Sequence, residues 1–68
     1  MKTTGMVLVF SGASAESKRP VDFWLDEDDK LFIRWKDTLF VKRFNQKTYS
    51  DIKLSEMRSE VIRAGYLV

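Results

Sequence analysis

Residues 21–35 read VDFWLDEDDKLFIRW, and apolar and polar side chains alternate on either side of an acidic turn at residues 26–29. Such alternation is typical of β-strands that bury one face, so the stretch predicts an antiparallel hairpin. If Leu25 lies opposite Leu31, six alternating apolar side chains fall on one face, and this fixes the register. The paired residues are then Val21 with Trp35, Phe23 with Ile33, and Leu25 with Leu31.

A third strand is predicted over residues 39–44, after a short connection at residues 36–38. In this strand Leu39 and Val41 extend the apolar face of the hairpin. The connection contains no Gly, although three-residue hairpin loops prefer one, so the loop sequence does not itself select this geometry.

The amino-terminal segment has two interpretations. Residues 6–10 are apolar and rich in valine, which predicts a buried strand, and the small and polar residues 11–20 predict a loop. Lys2, the apolar run and the small residues 13–15 also resemble a secretory signal. The run has five residues, which is shorter than the about 7–15 residues of a signal peptide, so we expect a strand.

The last segment changes to helical spacing. Four apolar residues lie three, four and three positions apart, on one side of a helix: Leu54, Met57, Val61 and Ala64. Gly65 then ends the helix. Ser50 is the favoured start, because Tyr49 and Leu54 can form a hydrophobic staple around it; if Ser55 is the cap instead, residues 49–54 form a fourth strand.

These elements predict one α+β domain over residues 1–68. It consists of an antiparallel sheet of three to four strands and one carboxy-terminal helix packed on one face. The apolar side of the helix covers the apolar face of the hairpin, which completes the core.

Composition restricts both stability and function. The chain has 68 residues, no Cys and no His, so it forms no disulfide and has no His or Cys ligand for zinc. A domain of this size has a marginal core, and we expect a homodimer or a protein partner to supplement it. The absence of Cys is compatible with a reducing environment, and we predict a cytoplasmic protein. No stretch approaches the about 20 apolar residues that span a membrane.

The sequence carries no catalytic motif. Ser11, Ser14 and Ser17 have no histidine to activate them, and no glycine-rich phosphate loop is present. The carboxylates of residues 26–29 lack the ligand spacing and the turn glycine of a calcium loop. We therefore expect a protein that is not an enzyme and that uses no cofactor or metal.

The second face of the predicted sheet is the candidate binding site. Segment 30–47 contains six basic residues and one acidic residue. With the core residues turned inward, four aromatic and three basic side chains point outward: Trp24, Phe32, Phe40 and Phe44, with Arg34, Lys36 and Lys42. Aromatic rings stack on the bases of single-stranded nucleic acid while cations neutralise its phosphates.

Three interpretations of this face remain open. Binding of DNA or RNA with a regulatory outcome is favoured. The alternative is a protein-interaction module that inhibits or modulates a larger protein, because aromatic residues and Arg are enriched at interfaces. In the third interpretation the face is a second core layer beneath the strand at residues 6–10.

Residues 58–65, RSEVIRAG, resemble the second helix of ribbon–helix–helix repressors and antitoxins, which implies a DNA-binding dimer. The first helix of that fold would lie over residues 38–47, where the sequence favours a strand. Residues 57–65 are also similar to the carboxy-terminal helix of HicA-type RNA-cleaving toxins, whose catalytic histidine has no counterpart here. Because both matches are short, we interpret the segment as an ordinary amphipathic helix.

Overall fold

The computed structural model describes residues 5–68, so the signal-like pattern at Met1 and Lys2 lies partly outside the described residues. The elements are β1 (Val7–Ser14), β2 (Pro20–Leu25), β3 (Lys30–Trp35), β4 (Phe40–Thr48), α1 (Leu54–Arg63) and β5 (Tyr66–Leu67). The strands form one antiparallel sheet in the order β4-β3-β2-β1-β5. The α+β class is confirmed, but the sheet has five strands rather than three to four.

The sheet is curled. Phe44 belongs to β4 and Tyr66 to β5, the two edge strands, yet their ring centroids are only 6.3 Å apart. Among residues 5–68, no helix is long and apolar enough to cross a membrane.

The central hairpin has the predicted register. Leu25 pairs with Leu31, Phe23 with Ile33, and Val21 with Trp35. The acidic turn is held by its first carboxylate, because Asp26 Oδ1 accepts hydrogen bonds from the backbone N–H groups of Asp28 and Lys30, each at 2.9 Å. Local hydrogen bonds of this kind are the reason that Asp is common in turns.

The register of β4 differs from the prediction by one residue. Four residues, 36–39, connect β3 to β4, because Leu39 adopts a φ of 57° and belongs to the turn. Trp35 therefore pairs with Phe40 instead of with Leu39. A shift of one residue moves the side chains of a strand to the opposite face, so the predicted faces were wrong for this strand. The misplaced side chains are Leu39, Phe40, Val41, Lys42 and Phe44.

The core lies between the sheet and α1. Its buried apolar residues are Val21, Phe23, Leu31, Ile33, Tyr49, Met57 and Val61. Met57 and Val61 confirm the predicted apolar side of the helix, whereas both end members of the predicted set are exposed: Leu54, the first helical residue, at 56%, and Ala64, the C-cap.

The helix begins between the two predicted starts, because its N-cap is Lys53 rather than Ser50 or Ser55. Asp51 has a φ of 60°, which interrupts a helix that begins at Ser50. Lys53 is the N-cap residue and makes no side-chain capping hydrogen bond, so the Ser55 cap was also wrong. At the other end, Gly65 adopts a φ of 104° and ends the helix as predicted.

The predicted loop at residues 11–20 is partly a strand, because β1 continues to Ser14. There Ala13 pairs with Leu67 of β5. Gly12 permits this approach, since a Cβ at Gly12 would collide with the carbonyl oxygen of Leu67. Because β1 lies within the sheet beside β2, it extends the outer face instead of covering it as a second core layer.

Candidate functional site

The sheet face opposite α1, which we name the helix-free face, carries two rows of cross-strand neighbours. One row contains Leu8, Trp24, Phe32 and Arg43, and the next contains Ser11, Asp22, Arg34 and Val41. Neighbours in such rows have Cβ atoms about 4.5–5.5 Å apart, so their side chains contact one another. The first row is apolar and aromatic and ends in a cation, whereas the second is mainly polar.

A buried carboxylate organises the polar row. Asp22 is only 3% exposed, and its carboxylate accepts hydrogen bonds from Ser11 Oγ at 3.0 Å and from Arg34 Nη2 at 2.8 Å. Lys36 Nζ lies 3.9 Å from the same carboxylate. Since two cations share one buried anion, the group carries one net positive charge. The sequence indicated that Asp22 and Arg34 are opposite each other, but not that the carboxylate is buried.

Asp22 also positions Arg34 over Trp24. The guanidinium carbon of Arg34 lies 5.4 Å from the centroid of the Trp24 ring, within the range of a cation–π interaction. One face of Trp24 is thus occupied by a side chain of the protein. Phe32 is half-buried between Trp24 and Arg43 in the row and is the ring available for stacking.

Three hydrogen-bond donors on the helix-free face have no acceptor. Trp24 Nε1, Arg34 Nε and Arg43 Nε are buried, and none has a partner within the described part of the chain. A buried donor without an acceptor costs about 1–3 kcal/mol, so native structures rarely leave one. All three donors lie on this face, and Arg34 and Arg43 also donate through Nη2, to Asp22 and to the carbonyl oxygen of Gln46.

The structure brings together only part of the predicted site. Trp24, Phe32 and Arg34 share the helix-free face, and Lys36 lies at its edge through its contact with Asp22. Sequence reasoning missed Arg43 on this face. The face on which Arg43 lies depends on the length of the β3–β4 turn. The sequence signal was the absence of the Gly that a three-residue loop prefers.

The remaining predicted residues, Phe40, Lys42 and Phe44, lie on the face that α1 covers. Phe44 packs edge-to-face on Phe23 with ring centroids 5.5 Å apart, so it belongs to the core. Phe40 lies opposite Trp35 at the start of β4 and is 55% exposed. Lys42 lines a cleft between β4 and α1, which the sequence did not reveal.

This cleft has a volume of about 430 Å³ and is lined by Ile33, Lys42, Phe44, Asn45, Glu60, Arg63, Ala64 and Tyr66. Lys47 Nζ donates to Glu60 Oε2 at 2.8 Å, and this hydrogen bond raises the pKa of Lys47. Burial raises the pKa of the Tyr49 phenol, whose hydroxyl donates to Glu60 Oε1 at 3.4 Å. Glu60 is therefore held by two neighbours.

Within residues 5–68, no group of three or more acidic, His or Cys side chains could hold a metal ion. No protein-family model, curated protein sequence or solved structure matches this chain.

Proposed function

We propose that this protein is a non-catalytic module that binds single-stranded nucleic acid through the helix-free face, with a regulatory outcome. The observation that carries the proposal is the grouping of Trp24, Phe32, Arg34 and Arg43 on one face, where three donors lack an acceptor among residues 5–68. Phosphate oxygens and base carbonyl groups are acceptors, and guanidinium groups bind phosphate with paired hydrogen bonds. Phe32 lies in the same row and supplies a ring on which a base can stack.

The charges on this face suggest how a strand would lie. The acidic turn at residues 26–29 begins two residues after Trp24, so phosphates are repelled from the loop that joins β2 to β3. Lys36 lies at the other end, beyond Arg34. Phosphates are therefore expected near Arg34 and Lys36, and near Arg43 on the edge strand β4, away from the turn, with a base on Phe32.

The proposal is tested by fluorescence anisotropy with a labelled oligonucleotide of about 12 nucleotides, within the span that small binding folds cover. Phe32→Ala should weaken binding by about 1–3 kcal/mol through lost stacking. Arg43→Gln should lower the affinity for all sequences and reduce the salt slope by about one, because one fewer counterion is released. Near-UV circular dichroism checks that each variant is folded.

Lys53→Gln is the matched control, because Lys53 is exposed, lies at the start of α1 and has no acidic partner among the described residues. Lys42→Gln adds a comparison within β4, since this side chain lies on the other face, and it should reduce affinity less than Arg43→Gln does. The proposal fails if the parent protein shows no salt-sensitive binding to single-stranded DNA or RNA at micromolar concentrations. It also fails if Lys53→Gln and Arg43→Gln have equal effects.

A protein-interaction module is the second candidate. It is favoured by apolar exposure on β1, where Leu8, at the end of the aromatic row, is 48% exposed and Val7, on the opposite face of the strand, is 65% exposed. Such a patch fits a homodimer or a larger protein that this chain modulates. Binding through it would depend little on salt, and Phe32→Ala would dissociate a dimer in light scattering or abolish capture of the partner.

A further inference from the structure

The cleft between β4, α1 and β5 has the dimensions of a ligand site. Its volume of about 430 Å³ lies within the roughly 300–1,000 Å³ of small-molecule pockets. Ile33, which is fully buried, lies at its base, so the cleft extends to the core.

Two cations without acidic partners line this cleft. Lys42 and Arg63 are exposed, and neither forms an ion pair with any residue in the described range 5–68. The cleft has one carboxylate, Glu60, which is bound to Lys47 at 2.8 Å. The cleft therefore has an excess of positive charge and favours an anion.

The apolar wall of the cleft is rigid. Phe44 and Tyr66 contact each other, and each also packs edge-to-face on Phe23, with ring centroids 5.5 Å and 5.3 Å from it. Because Phe23 is fully buried, both rings are anchored to the core. A wall that is already ordered loses little conformational entropy when it binds a planar ligand.

We propose that this cleft binds a small aromatic anion, whose acidic group is held by Lys42 and Arg63 and whose ring packs on Phe44 and Tyr66. Arg63 can bind a carboxylate or phosphate through two parallel hydrogen bonds, while Lys42 acts as a point charge. A metal ion or a cationic ligand does not fit, because Glu60 is already engaged and both free charges are positive. This site shares no residue with the helix-free face.

The test is a titration with naphthoate, followed through the backbone amide chemical shifts by NMR, with naphthalenemethanol as the neutral analogue. Naphthoate should shift the amides of Lys42, Phe44, Arg63 and Tyr66, and the alcohol should bind more weakly. Lys42→Gln and Arg63→Gln should each weaken naphthoate binding about two- to fivefold, as expected for an exposed ion pair, and leave the alcohol unaffected. Lys53→Gln, which makes the same charge change away from the cleft, should leave both ligands unaffected.

Three results would overturn this assignment. The first is the absence of shifts at the cleft at millimolar naphthoate, the second is equal affinity for the acid and the alcohol, and the third is equal weakening by Lys53→Gln and Lys42→Gln. Thermal melting checks that the variants remain folded. We expect them to be folded because Lys42 and Arg63 are both exposed. A failure of nucleic-acid binding would leave these results unchanged, since the two sites lie on opposite faces of the sheet.

Discussion

Removing the buried charge of Asp22 should lower stability and strengthen nucleic-acid binding at the same time. The carboxylate is 3% exposed and accepts hydrogen bonds from Ser11 at 3.0 Å and from Arg34 at 2.8 Å. In Asp22→Asn the amide oxygen can still accept a hydrogen bond, but Arg34 loses its counter-ion. Arg34 and Lys36 then become free to neutralise phosphates.

The loss of stability follows from the change in hydrogen-bond type. Hydrogen bonds to charged groups contribute about 1.5–3 kcal/mol and neutral ones about 0.5–1.5 kcal/mol, so the substitution should cost roughly 1–2 kcal/mol. The Arg34 side chain is 28% exposed, so solvent screens part of the effect and keeps the loss in this range. Each kcal/mol lowers the melting temperature by about 4–8 °C in a domain of this size. Urea denaturation followed by tryptophan fluorescence measures the change directly.

The gain in binding follows from the released cations. The plot of log affinity against log salt should become steeper by about one unit, because one additional positive charge faces the phosphates. Anisotropy titrations at several salt concentrations measure this slope in parallel with the denaturation experiment.

Asp28→Asn is the matched control, because it makes the same charge change in the acidic turn, where the side chain is exposed. It should change stability by less than about 0.5 kcal/mol, as is usual for surface substitutions. Weaker binding together with lower stability in Asp22→Asn would refute the proposed role of the face. An equal increase in slope in Asp28→Asn would show that net charge, rather than the local arrangement, controls affinity.

Three further predictions follow from the fold. Ile33→Ala should lower the free energy of unfolding by about 2–5 kcal/mol, since Ile33 is fully buried, and a folded variant with unchanged urea midpoint would contradict the core assignment. Arg19 donates a hydrogen bond to Asp37 and thereby lowers the pKa of this carboxyl group. The pair therefore stabilises the fold above the ordinary aspartate pKa of about 3.9, and this stabilisation is lost as the pH falls through the lower pKa of the folded state. Asp37→Asn should remove this part of the pH dependence in acid denaturation. Gly12→Ala should displace β5, which is measured as lost hydrogen-exchange protection of the β1–β5 pairs, and retained protection would show that the backbone can adjust around Leu67.

The sequence was sufficient to predict those parts of the fold that several residues specify together. In the central hairpin, alternation on both strands and the turn at residues 26–29 all require one register, and a slip of one residue would move the apolar side chains of the slipped strand into solvent. The helix was identified for the same reason, since Met57 and Val61 are spaced for one face and both are buried. Its start could not be identified, because Asp51 adopts a left-handed conformation that no spacing rule reports.

The register of β4 could not be predicted because its local sequence is ambiguous. Leu39, Phe40 and Val41 are all apolar, so either alternate set could face the core. The choice depends on the backbone of the turn, where Leu39 takes the positive φ that Gly or Asn usually provides. Strand β5 is only two residues long, too short for a periodic signal, and with it the position of Tyr66 beside the cleft was unpredictable.

The register of β4 also determines to which candidate site Lys42 and Arg43 each belong. Lys42 and Arg43 are adjacent on β4, so their side chains lie on opposite faces, one beside the cleft and one on the helix-free face. Because β4 is an edge strand, a cation on either face also discourages pairing with another chain, and this role requires no ligand. Within residues 5–68, protection of the edge alone does not explain why the buried side-chain donors without acceptors all lie on the helix-free face. Nor does it explain why the rings of Phe44 and Tyr66 adjoin Lys42, which has no acidic partner in that range. Those arrangements concern the faces of the sheet rather than its edge, and they are the reason to seek one ligand on each face.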